Sequence, residues 1–202
     1  MTAVAKVLIH VSQFPEKVRR DLLESLRTRH VNHNFHYDSV KQTQKWFALH
    51  QAYSPSRNDA DCQAVYEQGF KVATAKIKTP RVHVIGLGCG GGQKDTQLLK
   101  LLKARGQEIF YTPCDVSTAM VLTARQTVLA VMPENNCFPF VCDLATADDL
   151  LEAFDQIIWE GRRAGDPNFS GTAASHFAPP GVAMQDRRRP SQNDVTGALV
   201  SH

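Results

Sequence analysis

The sequence predicts an α/β fold in which a helical lobe is followed by a core built on a parallel sheet. Residues 80–160 alternate three times between a strand pattern and a helix pattern, which is typical of right-handed β-α-β crossovers. Residues 1–79 instead carry apolar residues at helical spacing, with polar breaks between them. Residues 161–202 are rich in Gly, Pro, Ser and Arg and show no sustained period, so we expect an irregular or disordered tail there.

The lobe is expected to contain three helices. The first covers residues 16–29, where Val18, Leu22 and Leu26 recur on one helical face. Two further helical patterns cover residues 40–53 and 59–75. We expect a turn between them at Ser54 and Pro55, because serine and proline interrupt the helical pattern there.

The core is expected to contain three strands, at residues 82–88, 108–113 and 137–144, each followed by a helix. The first helix should end at Gly106, because glycine commonly terminates helices. Ser117 is the expected N-cap of the second. Three strands are few for an α/β sheet, so we expect an incomplete sheet and a chain that is truncated at its C-terminal end.

Composition excludes several classes of protein. The net charge is only +3 and the basic residues are scattered, which argues against nucleic-acid binding. No apolar run approaches the roughly 18 residues of a membrane span. The five cysteines show no CxxC spacing, and we therefore expect a reduced, cytoplasmic protein with neither a membrane nor a nucleic-acid partner.

A glycine-rich loop joins the first predicted strand of the core to the helix that follows it. Glycine allows a sharp turn and a close approach of a ligand to the backbone, and the helix start favours an anionic group. Gly86, Gly88 and Gly91 fit GxGxxG, a dinucleotide-binding spacing, whereas Gly88, Gly90 and Gly92 fit GxGxG, a methyltransferase spacing. The glycines alone leave both cofactors open.

Two acidic residues favour one of these cofactors. Asp115 follows the second strand, where a carboxylate can accept hydrogen bonds from ribose hydroxyls. Asp143 follows the third strand, where it can accept from an adenine amino group. Together they favour S-adenosylmethionine over NAD, although each could instead cap the next helix. Lys94, at the start of the first core helix, could pair with a cofactor carboxylate or simply be solvated.

A cluster of histidines raises the possibility of a metal site. His30, His33 and His36 are spaced three residues apart, and imidazole is a good ligand for zinc or iron. Apart from Asp38, no acid or cysteine cluster accompanies them. We therefore predict no metal.

Three motifs carry a resemblance to a known family. The segments GLGCGGGQKDTQLLKLL, YTPCDVS and VCDLA are similar to the histidine-specific N-alpha methyltransferases of ergothioneine biosynthesis and their relatives. The most specific element is Tyr-x-Pro-x-Asp-h-Ser, in which h is hydrophobic. The segments 35–38 and 53–57 resemble that family's Tyr-Asp and Tyr-Tyr-Pro-Thr-Arg elements, so the likeness covers roughly residues 20–160.

This resemblance implies a Rossmann-like core that binds S-adenosylmethionine and a small-molecule substrate, an amino acid such as histidine or another amine. The implied cofactor-binding residues lie in the glycine loop, at the start of the helix and after the strands: Gly86, Gly88, Gly90, Lys94, Asp115 and Asp143. Tyr37 would lie near the substrate, and Asn168 echoes a substrate-binding asparagine. The resemblance identifies no catalytic base.

Two departures from the family pattern keep other functions open. Gly86 stands where relatives carry an acid, and Ser54 stands where they carry a tyrosine directly before the proline. The alternatives are a degenerate cofactor-binding fragment without catalytic activity and a Rossmann oxidoreductase of the NAD type.

Overall fold

The computed structural model describes residues 5–37, 39–165 and 196–200, with the backbone alone at His33, 162–165 and 196–200. In these ranges the strands are β1 (Leu8–Ile9), β2 (Arg81–Leu87), β3 (Glu108–Asp115), β4 (Phe140–Val141) and β5 (Thr196–Val200). The helices are α1 (Pro15–Thr28), α2 (Val40–Tyr53), α3 (Pro55–Asn58), α4 (Ala60–Lys76), α5 (Gln93–Ala104), α6 (Thr118–Val128) and α7 (Leu150–Gly165). Short 3-10 turns cover Val11–Gln13, His33–His36 and Glu134–Asn136.

The α/β architecture with a helical lobe is confirmed. Helices α1, α2 and α4 correspond to the three predicted helices of the lobe, and β2, β3 and β4 correspond to the predicted strands. Gly106 lies just beyond α5 with a φ of 78°, and the Ser117 side chain caps α6 by accepting from the Met120 N–H.

All strands that the structure describes pair in parallel, in the order β1-β4-β3-β2-β5. Strands β3 and β4 are added on one side of β2, whereas β5 is added on the other. The strand order therefore reverses at β2. In open α/β sheets, ligands bind outside the carboxyl ends of the strands at this point of reversal.

Two of the strands were not predicted from the sequence. β1 lies within residues 1–79, which we expected to be helical, and it pairs with β4 at the sheet edge. It is only two residues long, too short to show an alternating pattern. β5 lies within residues 161–202, which we expected to be irregular, and it pairs with β2 from His83 to Leu87. The described sheet therefore has five strands, two more than the sequence predicted.

Helices cover both faces of this sheet. On one face, Val82 and Val84 of β2 pack with buried leucines of α5 and with Val128 of α6. On the other face, Ile85 packs with Phe140, and with Phe154 and Ile157 of α7. This two-sided burial explains why β2 and β3 have near-continuous apolar sequences. No helix within the described ranges is long and apolar enough to cross a membrane.

We expect the substitution Gly86→Ala to destabilise the fold. A Cβ at this position would lie 2.3 Å from Asp95 Oδ2 and 2.9 Å from the Tyr111 hydroxyl, two groups that are hydrogen-bonded to each other. Overpacking of this kind costs about 1–3 kcal/mol. The measurement is the free energy of unfolding in denaturant.

Gly69→Ala is the matched control for that experiment. Gly69 lies inside α4, and a Cβ there has no atom within 4 Å. Alanine should therefore raise the free energy of unfolding by about 0.5–1 kcal/mol. Equal effects of the two substitutions would contradict the packing role that we assign to Gly86.

Candidate functional site

The carboxyl ends of three neighbouring strands bring the predicted cofactor-binding residues together. β2 leads into the glycine loop, β3 ends at Asp115, and Asp143 follows β4 by two residues. Because β2, β3 and β4 are adjacent and parallel, these segments meet at one edge of the sheet. Both carboxylates are buried, with 7% of Asp115 and 2% of Asp143 exposed.

The glycine loop depends on backbone conformations that other residues rarely adopt. Gly90 has a φ of 51° and Gly92, the residue before α5, a φ of 74°. A Cβ on Gly92 would lie 2.9 Å from the Cα atom of Ala124 in α6. The loop therefore lies tightly against the neighbouring helix.

Asp115 fixes this loop to the end of β3. Its Oδ2 accepts a hydrogen bond from the Gly90 N–H, and its Oδ1 accepts one from the Ser117 N–H, both at 3.1 Å. Burial raises the pKa of the Asp115 carboxyl, whereas hydrogen bonds from the N–H groups of Ser117, Gly90 and Val116 act in the opposite direction. Each carboxylate oxygen accepts up to two bonds, so Asp115 keeps acceptor capacity for a ligand hydroxyl.

Asp143 lies in a denser network. Its Oδ1 accepts from the Ala145 N–H at 2.9 Å, and its Oδ2 accepts from the Thr146 hydroxyl at 2.8 Å and from the Asn34 amide. Ser12, which follows β1, accepts from the Asp143 N–H at 3.0 Å. Since α7 begins only at Leu150, Asp143 is not the N-cap of that helix.

Among the described residues, four contacts of the helical lobe with the same edge of the sheet involve predicted site residues or Ser117. Besides the bond from Asn34 to Asp143, the hydroxyls of Thr43 and Ser117 lie 3.2 Å apart. Lys94 donates to the Tyr66 hydroxyl at 3.0 Å and lies over the Tyr66 ring. At the fourth contact the ring of Trp46 lies over Gly90, where a Cβ would be 3.2 Å from the ring.

An aromatic cluster on the lobe faces the glycine loop through Trp46. The Trp46 ring stacks on His50 at 4.8 Å and meets the Tyr37 ring edge-on at 6.4 Å. Partial burial lowers the pKa of His50, and the positive charges of Arg57 and Lys94 lower it further. Both effects favour the neutral form of the His50 imidazole.

The predicted site residues differ in what surrounds them. Gly88 and Gly90 lie in the loop, but Gly86 lies inside β2, where the missing Cβ makes room for Asp95 and Tyr111. Lys94 contacts Tyr66, and Tyr37 lies beside Trp46. Asn168 lies outside the described residues.

Sequence reasoning missed three residues of the lobe, namely Asn34, Trp46 and His50. Asn34 lies in the polar break at residues 30–38, where the sequence pattern singled out the histidines and Tyr37. Trp46 and His50, spaced i and i+4 on α2, were a detectable signal of one helix face. In the described part of the chain, no group of three or more His, Cys, Asp or Glu side chains is arranged to hold a metal ion.

Comparison with known proteins identifies a family for this chain. Residues 16–165 match the model of a family described as histidine-specific methyltransferase, SAM-dependent. The search of curated proteins returned no match. The matched range includes the helices of the lobe, the glycine loop and both acidic residues. The chain thus belongs to the histidine-specific, SAM-dependent methyltransferase family.

Proposed function

We propose that this chain transfers a methyl group from S-adenosylmethionine to the amine of a free amino acid, with histidine as the first candidate. Membership of the family makes S-adenosylmethionine the expected cofactor. The observation that carries the proposal is the pair of buried carboxylates, Asp115 and Asp143, beside the glycine loop at the point where the strand order reverses.

The polar groups at this edge fit the cofactor. Asp115 retains one acceptor position for a ribose hydroxyl, and Asp143 offers a carboxylate to the adenine amino group. The backbone of Gly88 and Gly90 would lie along the cofactor, with Gly86 supporting the loop from β2. Lys94, in the first turn of α5, would supply positive charge for the cofactor carboxylate.

The aromatic cluster on the lobe suits an amino-acid substrate. The rings of Tyr37, Trp46 and His50 offer an apolar and partly polar surface next to the glycine loop. The charges of Arg57 and Lys94 act on the same region, because both lower the pKa of His50. A substrate that carries a carboxylate would be attracted by these two cations. We also propose Asn168 as a substrate-side residue, from its sequence alone.

When bound, S-adenosylmethionine supplies an electrophilic methyl group, which an unprotonated amine accepts through its lone pair. The amine must then lose a proton. We propose His50 as the acceptor of this proton, because its ring stacks on Trp46 beside the glycine loop and its lowered pKa favours the neutral form that can accept a proton. Tyr37 and Trp46 would orient the substrate, since alignment contributes much of the rate of such displacements.

We expect S-adenosylhomocysteine, the product form of the cofactor, to stabilise the chain, whereas NAD should not. At a ligand concentration about 100 times the dissociation constant, stabilisation is about 2.7 kcal/mol, which for a chain of this size is a rise of several degrees in the unfolding midpoint. Thermal unfolding with each ligand measures this. Stabilisation by NAD alone would favour the oxidoreductase alternative.

Paired variants locate the binding site in the same experiment. Asp115→Asn should weaken S-adenosylhomocysteine about 10- to 100-fold, because hydrogen bonds to charged groups contribute about 1.5–3 kcal/mol. Asp148→Asn makes the same chemical change at an exposed position and should leave affinity unchanged. Equal affinity of the two variants would exclude Asp115 as a cofactor ligand.

We expect methylated histidine to form when the chain is incubated with S-adenosylmethionine and histidine. Mass spectrometry of the product measures transfer, with the other amino acids and histamine as competing acceptors. Histamine lacks the carboxylate, so it should react more slowly if Arg57 and Lys94 attract that group. Cofactor binding without transfer to any amine would support the degenerate-fragment alternative instead.

The pH dependence of stability tests the environment of His50. Its pKa in the folded chain lies below the unfolded value of 6.5, so the unfolded chain binds more protons between these two values. The free energy of unfolding should therefore rise with pH through that window and decrease as pH falls from 6.5. In His50→Gln this part of the pH dependence should disappear.

Arg57→Gln is the matched variant for this measurement. Removing one of the charges that lower the pKa of His50 should bring that pKa closer to 6.5. The pH range over which His50 affects the free energy of unfolding should then become narrower. The raised pKa values of Asp95 and Asp115 make the free energy of unfolding fall as pH rises, which is opposite to the effect of His50. The free energy of unfolding of each variant is therefore compared with that of wild type at the same pH. Identical profiles for wild type and His50→Gln would contradict the assignment.

A further inference from the structure

A cleft lies between the lobe and the ends of β3 and β4, beside the two acidic residues of the site. Val116 directly follows Asp115, while Ser12 and Asn34 both hydrogen-bond to Asp143. The lining is mixed: Val18, Phe35 and Val116 are apolar, whereas Asp21, Asn32 and Asn34 are polar. A heteroaromatic ring bound at this edge would meet apolar side chains on its faces and hydrogen-bonding groups along its rim.

The amide of Asn34 has only one possible orientation in this network. A carboxylate accepts hydrogen bonds and donates none, so the group that Asn34 directs to Asp143 Oδ2 must be its Nδ2. The other amide atom, Oδ1, is buried and accepts no hydrogen bond within the described ranges. Because both atoms share one carbon, this unpartnered acceptor lies in the same neighbourhood as the Asp143 carboxylate.

Unpartnered buried atoms are uncommon and require an explanation. In the part of the chain that the structure describes, two other side-chain atoms share this property, Thr79 Oγ1 and Gln107 Oε1. Both of those residues precede β2 or β3, at the amino ends of the strands and away from the cleft. Of the three atoms, Asn34 Oδ1 is the one at the ligand-binding edge of the sheet.

Counting acceptor positions shows why a second acceptor is needed there. Asp143 Oδ2 already accepts from Asn34 and Thr146, and Oδ1 accepts from Ala145. With two positions on each oxygen, one remains, on Oδ1. An adenine amino group has two N–H bonds, and Asp143 can accept only one of them without giving up a present partner.

We propose that Asn34 is a specificity-determining residue that accepts the second N–H of the adenine amino group through Oδ1, while Asp143 accepts the first. The inference rests on the proposed cofactor site and adds the residue that selects adenine there. Two acceptors facing one amino group require both hydrogens, so a purine that carries fewer than two is rejected. Asn34 thereby links recognition of adenine to the position of the helical lobe.

The test measures dissociation constants by calorimetry for S-adenosylhomocysteine and for its analogue methylated on the adenine amino group. Wild type should bind the methylated analogue at least tenfold more weakly, because one N–H is replaced by a methyl group that collides with Asn34. Asn34→Ala should bind S-adenosylhomocysteine about two- to tenfold more weakly than wild type, as expected for one neutral hydrogen bond. It should bind the methylated analogue as well as wild type or better, since the substitution opens space.

Gln156→Ala is the matched control, because it removes an exposed amide of α7 that lies outside the cleft and donates to Glu160 Oε1 at 3.4 Å. This variant should keep the wild-type ratio between the dissociation constants of the methylated analogue and of S-adenosylhomocysteine. Asn34→Ser, which is too short to reach the amino group, replaces Asn34→Ala if the latter does not fold. If both Asn34 variants keep the wild-type ratio of the two dissociation constants, the role of Asn34 is wrong but the cofactor site stands. If wild type fails to bind S-adenosylhomocysteine, the cofactor site is wrong as well.

Discussion

The hydrogen bond from the Gly90 N–H to the Asp115 carboxylate connects the loop after β2 to the end of β3. A buried carboxylate requires hydrogen-bond donors, and here they come from the backbone. The loop can present that N–H only because Gly90 adopts a left-handed conformation. The need of the buried Asp115 carboxylate for hydrogen-bond donors therefore fixes the glycine loop, and it also fixes Asp115, the residue expected to bind the ribose.

The helical lobe is positioned by the same edge of the sheet. The lobe makes four contacts there: Asn34 with Asp143, Thr43 with Ser117, Trp46 with Gly90, and Tyr66 with Lys94. Each partner is a predicted cofactor-binding residue or the cap of the helix that follows Asp115. A ligand at this edge would alter the surroundings of all four contacts. Binding of the cofactor and the position of the lobe are therefore expected to be thermodynamically linked.

Local sequence patterns predicted those features that local physics determines. The apolar periods of α1, α2 and α4, the buried sequence of β2 and the cap at Ser117 each depend on neighbouring residues. The two acidic residues could be predicted because parallel strands align their carboxyl ends. Asn34 could not, since its bond to Asp143 joins residues 109 positions apart. The edge strand β1 was missed because a two-residue pairing leaves no period in the sequence.

The environment of Gly86 shows how a departure from a family pattern is accommodated. The family resemblance implies an acid at this position, and this chain carries glycine instead. In the structure, Asp95 Oδ2 would lie 2.3 Å from a Cβ at residue 86, so a carboxyl group occupies the space that a side chain there would enter. Burial raises the pKa of Asp95, and the hydrogen bond from Tyr111 acts in the opposite direction. A carboxyl group therefore lies next to the end of β2, but it belongs to Asp95 of α5. It fits there because Gly86 has no side chain.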